Sequence, residues 1–326
     1  MERTMNIQDI HSSIKQAYHR IKPYVYHTPL VHSLPFSNNT KVNVYLKLES
    51  EQKTGSFKVR GSFNKLLGET SDLNHEYVTA STGNHGMACA LALSTLGKKG
   101  VVFVPITVNP AKESSLREYG IELRKYGDDC VKTEREARQY AVANEMAYIS
   151  PYADMQIIYG QGTIAEELAQ DLSHIDAVFV TVGGGGLISG IGSYFKVFSK
   201  ETEIVGCLPE NSPVMMESVK SGHIIEMESL ETLSDASAGG IEQGSPTVPI
   251  CQVVVDRWVT VSEEEIANAM LLVLEKHHKV VEGAAGVALA SFFKCSKEYE
   301  GKNVVIVLCG SNLSMDNLKF VISKSK

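Results

Sequence analysis

The sequence predicts an α/β fold in which parallel strands form open sheets. Short runs of β-branched residues alternate with stretches of helical apolar spacing along most of the chain, and this alternation is typical of βαβ units. The 326 residues are enough for two α/β domains, and a content of 43% hydrophobic and 21% charged residues is usual for a soluble globular protein.

The elements follow from the same patterns, taken in chain order. We expect strands at 42–49, 77–81, 101–104, 177–182, 203–207 and 304–309. We expect helices at 84–96, 111–119, 132–145, 162–172, 187–199, 262–278 and 284–297. Ser262 and Glu265 form a capping box, which predicts a helix start at that point. Residues 230–251 are rich in Gly, Ser and Pro, and we interpret them as a loop near the active site.

Composition excludes several classes of function. The net charge of −7 argues against a nucleic-acid surface. No apolar run reaches the roughly 18 residues that a membrane span needs, and the N-terminus lacks the apolar core of a signal peptide. The six cysteines are widely spaced without C-x-x-C pairs, which favours reduced thiols. We therefore predict a cytoplasmic protein with a small-molecule substrate and neither a nucleic-acid partner nor a membrane.

The most informative segment is KTGSFKVRG at residues 53–61, which contains Lys58. A buried lysine that can lose its proton is a nucleophile for an aldehyde, and it forms a Schiff base. Most lysines in proteins are simply solvated, so this segment alone does not establish a catalytic role. Two later segments favour that role.

The first of these is STGNHGMA at residues 81–88, between a predicted strand and a predicted helix. Backbone N–H groups at a helix N-terminus suit an anion such as a substrate carboxylate. The Asn84 side chain can donate a hydrogen bond to a phenolic oxygen. The alternative interpretation is an ordinary helix N-cap with a glycine hinge.

The second is VGGGGLISG at residues 182–190, where four glycines join a strand to a helix that begins near Leu187. Without side chains, several N–H groups can close on one phosphate while the helix dipole adds to the attraction. No dinucleotide or P-loop pattern fits, so the loop suits a single phosphate. A lysine, an asparagine and a phosphate site together suit pyridoxal phosphate, which carries an aldehyde, a ring hydroxyl and one phosphate.

The order and spacing of KTGSFKVRG, STGNHG, VGGGGL and VLCGSN (residues 307–312) resemble the fold-type II pyridoxal-phosphate enzymes. Within them the sequence is most similar to the serine/threonine dehydratase and serine racemase family, from Tyr26 to Asn312. This resemblance implies two open parallel-sheet domains, like those of tryptophan synthase β, with the cofactor in the cleft. The large cofactor-binding domain would comprise residues 1–52 and 153–326, and the small domain residues 53–152. The resemblance also implies a homodimer.

The resemblance further implies roles for individual residues. Lys58 would be the Schiff-base lysine, Asn84 would contact the ring hydroxyl, and Cys309 would face the pyridine nitrogen, although Cys309 also fits a small buried residue at a strand end. The cofactor-binding residues would be Lys58, Phe57, Asn84, Gly183, Gly184, Gly185, Gly186, Leu187, Glu282 and Cys309. The substrate-binding loop would comprise Ser81, Thr82, Gly83, Asn84 and His85.

The implied activity is β-elimination on L-threonine or L-serine, which makes the protein a dehydratase. STGNHG and SAGGIE also resemble the branch with the hydroxyectoine-utilisation dehydratases, so a less common hydroxy amino acid is an alternative. Amino-acid racemisation is an alternative reaction. Thr82 would then be the second catalytic residue, since similar serine racemases carry a serine at this position. Leu208 and Val214 stand where relatives have acidic ligands for a divalent cation, so we expect no metal.

Overall fold

The computed structural model describes residues 6–68, 76–128 and 130–324, and within them the chain forms two sheets surrounded by helices. The strands are β1 Leu30–His32, β2 Asn43–Lys47, β3 Tyr77–Ala80, β4 Gly100–Val104, β5 Glu122–Lys125, β6 Ala147–Tyr148, β7 Ala177–Thr181, β8 Glu203–Pro209, β9 Arg257–Val261 and β10 Asn303–Val307.

The helices are α1 Ile7–Ile21, α2 Leu34–Thr40, α3 Lys58–Gly68, α4 Asn84–Leu96, α5 Pro110–Arg117, α6 Cys130–Ala143, α7 Met155–Asp171, α8 Gly186–Phe198, α9 Val214–Ser221, α10 Thr247–Val254, α11 Glu263–His277, α12 Gly283–Cys295 and α13 Met315–Ser323. No helix in the described ranges is long and apolar enough to cross a membrane.

The six-stranded sheet has the order β1-β2-β10-β7-β8-β9, and the four-stranded sheet has the order β5-β4-β3-β6. Strand β1 is antiparallel to β2, and the other pairs in both sheets are parallel. The central strands β7 and β10 are largely buried runs of β-branched and aromatic residues, as expected of a parallel sheet covered on both faces. The predicted α/β fold class is confirmed.

The predicted elements are present, with differences at their ends. Helix α4 spans the predicted residues, and the Ser262–Glu265 capping box forms as predicted. The helix predicted at 162–172 begins earlier, at Met155, because the Asp154 side chain accepts a hydrogen bond from the Gln156 N–H and caps the helix there. The loop prediction for 230–251 is wrong at its end, where α10 begins after Pro246.

Strands β3 to β6 all lie within residues 77–148, and the strands of the six-stranded sheet lie on either side of them in the chain. Helix α3 packs against both α4 and α7 and therefore connects the two parts of the molecule. The domain ranges given above remain a prediction, and they also include residues 1–5, 69–75, 129 and 325–326, which lie outside the described residues.

Candidate active site

A cavity lies where several helices begin. Helix α3 begins at Lys58, α4 at Asn84 and α8 at Gly186, and all three residues line the cavity. Every residue predicted to bind the cofactor is in its lining, which consists of Phe57, Lys58, Asn84, Tyr152, Thr181, Gly183, Gly184, Gly185, Gly186, Leu187, Ala236, Ser237, Glu282, Ala284 and Cys309. Because helix N-termini carry partial positive charge, this arrangement favours an anionic ligand.

Lys58 is positioned by the segment before it, which pairs with the chain after β10. The Phe57 N–H donates to the Cys309 carbonyl at 3.1 Å, and Ser56 forms an antiparallel bridge with Gly310. Gly55 adopts φ +69°, and a β-carbon there would lie 2.9 Å from the Asn312 side chain. This pairing brings Lys58 beside Cys309, which is 251 residues later in the chain (309 − 58).

Lys58 is partly buried in this setting. Its Nζ donates a hydrogen bond to the Pro151 carbonyl at 2.9 Å and lies 5.2 Å from the centre of the Phe57 ring. Burial lowers the pKa of this amine to about 8, because the charged form loses its hydration, while nearby Cys89, Cys309 and Glu282 oppose the shift. A lysine with this pKa is readily deprotonated near neutral pH.

The loop from Gly183 to Gly186 needs glycine because its backbone approaches other parts of the chain too closely for side chains. A β-carbon on Gly183 would lie 2.8 Å from the Ser237 carbonyl oxygen, and one on Gly184 would overlap the Tyr152 ring. Gly185 adopts φ +85°, which favours glycine. The first N–H groups of α8 have no partner within the helix, so they are available to a phosphate group.

The buried side chains of Asn84 and Glu282 form a polar cluster with the exposed residue Asn312. The Asn84 Nδ2 donates to the two Glu282 carboxylate oxygens at 2.9 and 3.0 Å. Asn312 donates from its side chain to Asn84 Oδ1 at 2.5 Å and from its backbone to Glu282 Oε2 at 3.2 Å. Burial raises the pKa of the Glu282 carboxyl to about 7. The cluster fixes the orientation of the Asn84 amide at the cavity.

Cys309 is buried at the cavity, two residues after the end of β10. Burial raises the pKa of its thiol, and the nearby Glu282 charge acts in the same direction. Cys309 therefore presents a neutral thiol, and not a carboxylate or thiolate, to the cavity.

The predicted substrate loop follows β3. The Ser81 N–H is occupied by the Phe103 carbonyl at 3.2 Å, and the Gly83 N–H by the Ser81 hydroxyl at 3.2 Å. The His85 ring is buried against the Ile149 carbonyl, and burial lowers its pKa to about 3, so the ring is neutral. Thr82 is half-buried. The N–H groups of Asn84 and His85 lie in the first turn of α4, where helices lack internal acceptors for them.

Sequence reasoning missed several residues of this site. Tyr152, Thr181 and Ala284 carry no recognisable motif, whereas Ala236 and Ser237 fall within the segment interpreted as a loop near the active site. Asn312 could have been found, since it ends the VLCGSN motif.

The positions considered for a divalent cation lie in the core. Leu208 in β8 and Val214 at the start of α9 are both buried. Glu210 is 3.4 Å from the Lys294 ammonium. Across residues 6–68, 76–128 and 130–324, no group of three His, Cys, Asp or Glu side chains is arranged to hold a metal ion. The absence of a metal requirement remains a prediction.

The cavity brings together the glycine loop, Lys58 and Asn84, which were the residues expected to bind pyridoxal phosphate, and a family comparison bears on the cofactor. Residues 21–310 match the family described as "Pyridoxal-phosphate dependent enzyme". The chain therefore belongs to this family, and it is an enzyme that uses pyridoxal phosphate. This confirms the predicted cofactor and the predicted family.

Individual relatives show which named enzymes of this family are similar to the chain. The chain is 35% identical to the biosynthetic L-threonine dehydratase of Halalkalibacterium halodurans over 312 residues, which is 94% of this chain and 74% of that protein. Threonine deaminase isoform 2 of Solanum lycopersicum has a TM-score of 0.94 and 28% identity, covering 98% of this chain and 94% of that one. Serine racemase of Dictyostelium discoideum has a TM-score of 0.86 and 30% identity, covering 94% of this chain and 99% of that one.

Proposed function

We propose that this enzyme is a dehydratase, or ammonia-lyase, of β-hydroxy amino acids, with L-threonine or L-serine as substrate. The observation that carries the proposal is the partly buried Lys58 amine beside the neutral Cys309 thiol, in a cavity that also contains the glycine loop. The names of the threonine dehydratase and threonine deaminase relatives support it.

The cofactor would be held at both ends by residues of the cavity. The N–H groups from Gly183 to Leu187 would bind the phosphate, Asn84 would bind the ring hydroxyl, and Phe57 and Glu282 would line the ring. When bound, pyridoxal phosphate supplies an electron sink for negative charge at the substrate α-carbon.

Lys58 would act as the base. Its pKa of about 8 leaves about a tenth of the amine neutral at pH 7, and the Pro151 carbonyl holds the amine in place. Lys58 would take the substrate α-proton and return a proton to the departing β-hydroxyl, which leaves as water. Hydrolysis of the resulting enamine gives a 2-oxo acid and ammonia.

The loop from Ser81 to His85 would bind the substrate carboxylate. The first N–H groups of α4 and the positive end of its dipole favour an anion there. Fixing the carboxylate fixes the direction of the α-C–H bond and so presents it to the base.

Cys309 favours elimination over reactions that require a long-lived carbanion. A neutral thiol beside the pyridine nitrogen does not stabilise the protonated ring as a carboxylate would. The electron sink is then weaker, and rapid departure of a β-substituent is an advantage.

Racemisation is the second candidate, and the similarity to a serine racemase supports it. A racemase needs a proton donor on the substrate face opposite Lys58. Thr82 would be that donor, because its hydroxyl belongs to the carboxylate loop. Its β-branched side chain restricts where that hydroxyl can point, which favours the dehydratase.

A substrate panel tests the proposal. L-threonine, L-serine and bulkier β-hydroxy amino acids are incubated with the enzyme, and ammonia and 2-oxo acid are measured. We expect the highest rate with threonine or serine, and a loss of more than about a hundredfold in Lys58→Ala, which lacks the base. Chiral products without oxo acid would favour the racemase, and preference for a bulkier substrate would favour the less common hydroxy amino acid.

We also infer the wider organisation of the protein. A large domain of residues 1–52 and 153–326 and a small domain of residues 53–152 fit the two sheets. The family resemblance supports a homodimer. The six free cysteines, all in the described ranges, support a cytoplasmic location. Size-exclusion chromatography with light scattering tests the dimer.

A further inference from the structure

The segment from Ala238 to Ser245, which we call the Glu242 loop, crosses from one part of the molecule to the other beside the cavity. It follows Ser237, a lining residue whose carbonyl lies against Gly183. Gly239 and Gly244 adopt φ values of +119° and +77°, and a β-carbon on either would meet no atom within 4 Å. The glycines of this loop are thus not held by packing.

Glu242 anchors the loop through three hydrogen bonds. Its Oε1 accepts from the Ser150 hydroxyl at 2.7 Å, and its Oε2 accepts from the Arg138 guanidinium at 2.6 Å. Its backbone N–H donates to the Tyr152 hydroxyl at 2.8 Å. Arg138 is in α6, which packs on β3 and β4, and the other two partners follow β6. One residue therefore joins the loop to three points beside the four-stranded sheet.

The segment that Glu242 holds also contacts the rest of the site. The Pro151 carbonyl accepts the hydrogen bond from Lys58. The Tyr152 ring lies against Gly184, where an added β-carbon would overlap the ring atoms, and the Tyr152 Cβ lies against Gly186, where an added β-carbon would be 3.0 Å away. A displacement of this segment would therefore alter both the Lys58 amine and the glycine loop.

We propose that Glu242 is a positioning residue that holds residues 150–152 against the glycine loop and Lys58 and thereby retains the cofactor. It does not touch the reacting atoms. The proposal rests on the cofactor of the family and on the same site as the proposed function, but it does not depend on which substrate is turned over. Failure of the substrate panel would leave it intact.

Arg138 supplies a matched control, because it has two carboxylate partners. Glu242 reaches it from across the site, whereas Glu134 reaches it at 2.9 Å from one turn earlier in α6. Glu134→Gln and Glu242→Gln remove the same charge and disturb the same guanidinium. The two variants differ because only Glu242 connects the Arg138 guanidinium to the Glu242 loop beside the cavity.

The test measures cofactor release from the holoenzyme, followed by fluorescence after dilution into a trap for free pyridoxal phosphate. Since a hydrogen bond to a charged group is stronger than a neutral one, we expect Glu242→Ala and Arg138→Ala each to speed release about tenfold. The double variant should release cofactor no more than about twice as fast as either single variant, because both substitutions remove the same Arg138–Glu242 contact. Glu134→Gln should stay within about twofold of wild type.

Two further measurements separate positioning from general destabilisation. In the cofactor-free state, Glu242→Gln and Glu134→Gln should change the melting temperature by similar amounts. Only Glu242→Gln should speed cofactor release. Tyr152→Phe removes the acceptor of the Glu242 N–H and retains the ring, and Glu242→Ala keeps that N–H, so the two substitutions remove different contacts and the double variant should release cofactor faster than either single variant. If Glu242→Ala does not fold, Glu242→Gln, which keeps a hydrogen-bonding group toward Ser150, carries the test. Unchanged release in the Glu242 variants, or equal acceleration in Glu134→Gln, would overturn the proposal.

Discussion

At the scale of single residues, burial changes the protonation of Lys58 and Glu282, two of the ionisable groups that line the cavity. The pKa of Lys58 falls to about 8 and that of Glu282 rises to about 7, in both cases chiefly because burial disfavours the charged form. Their working forms near neutral pH thus depend on their surroundings, which no sequence motif displays.

Glu282 makes the stability of the cofactor-free protein depend on pH. Its pKa in the folded state is about 7, against an ordinary value of 4.5, so the folded state binds its proton more tightly than the unfolded state. The resulting stability is fully present below pH 4.5 and is lost as pH rises to about 7. Glu282→Gln should remove this decline in the free energy of unfolding.

The measurement for Glu282 is urea denaturation of cofactor-free protein at several pH values from 4.5 to 7.5. The exposed Glu201→Gln serves as the control and should keep the wild-type slope. An equal decline in wild type and in Glu282→Gln would show that other groups cause it.

Thr82 should influence the choice between elimination and racemisation. Elimination needs a base only on the Lys58 face, and racemisation also needs a donor on the other face. We expect elimination to exceed racemisation in wild type, Thr82→Ser to raise the racemised fraction and Thr82→Ala to lower it. Chiral chromatography of recovered L-serine, beside the oxo-acid yield, provides the measurement. Faster racemisation than elimination in wild type would favour the racemase.

At the scale of elements, a buried ion cluster attaches helix α3 to the six-stranded sheet. Arg60, two residues after Lys58, is fully buried and donates paired hydrogen bonds to Glu49 at 2.8 Å and to Glu167 at 2.6 and 2.9 Å. Lys47 donates to Glu167 at 2.6 Å. Because α3 begins at Lys58, this cluster also determines where the amine lies.

Removing Arg60 should be costly. Arg60→Met would leave the Glu49 carboxylate buried without its cation, so we expect a loss of about 3–5 kcal/mol in the free energy of unfolding. Arg60→Met with Glu49→Gln should recover part of the loss. The measurement is urea denaturation of the holoenzyme.

Arg257 provides the control for this prediction. It forms a similar paired contact with Glu298, at 2.6 and 2.8 Å, but on the surface, where the Glu298 side chain is 58% exposed. Arg257→Met should cost no more than about 1 kcal/mol. Equal losses in the two variants would mean that burial does not decide the energetics of the Arg60 cluster.

At the scale of the whole molecule, the cavity is built from residues that span the chain from Phe57 to Cys309. A ligand that binds only the folded state stabilises all of these parts together, by about 2.7 kcal/mol at a hundredfold excess over its dissociation constant. The single tryptophan, Trp258 in β9, is outside the cavity lining in the described ranges and can report this effect.

Pyridoxal phosphate should therefore raise the urea midpoint reported by Trp258 fluorescence in cofactor-depleted protein. Pyridoxal, which lacks the phosphate, should raise it much less, because it cannot use the glycine loop. Lys58→Ala should keep a preference for the phosphorylated compound, since that variant retains the loop. Equal shifts for both compounds would contradict the assignment of Gly183 to Leu187 as the phosphate site.

Much of the candidate site could be predicted because its signals are local. Four consecutive glycines between a strand and a helix restrict what the backbone can bind, and the Ser262–Glu265 box starts a helix by itself. Helices α1 and α3 were missed. Helix α1 does carry local signals, since Asn6 caps it and its buried residues recur at helical spacing, whereas α3 packs against α4 and α7, a tertiary contact that the sequence does not display.

The sequence by itself determined the α/β class, the family and the place of Lys58, Asn84, the glycine loop and Cys309 along the chain, since residue type and spacing suffice for these. Only the tertiary structure decided that Asn84 meets Glu282, that Tyr152 covers the glycine loop, and that Glu242 reaches Arg138. These contacts join residues 32 to 198 positions apart, from Tyr152–Gly184 (184 − 152) to Asn84–Glu282. Folding alone brings such residues together, and burial then sets the pKa of Lys58.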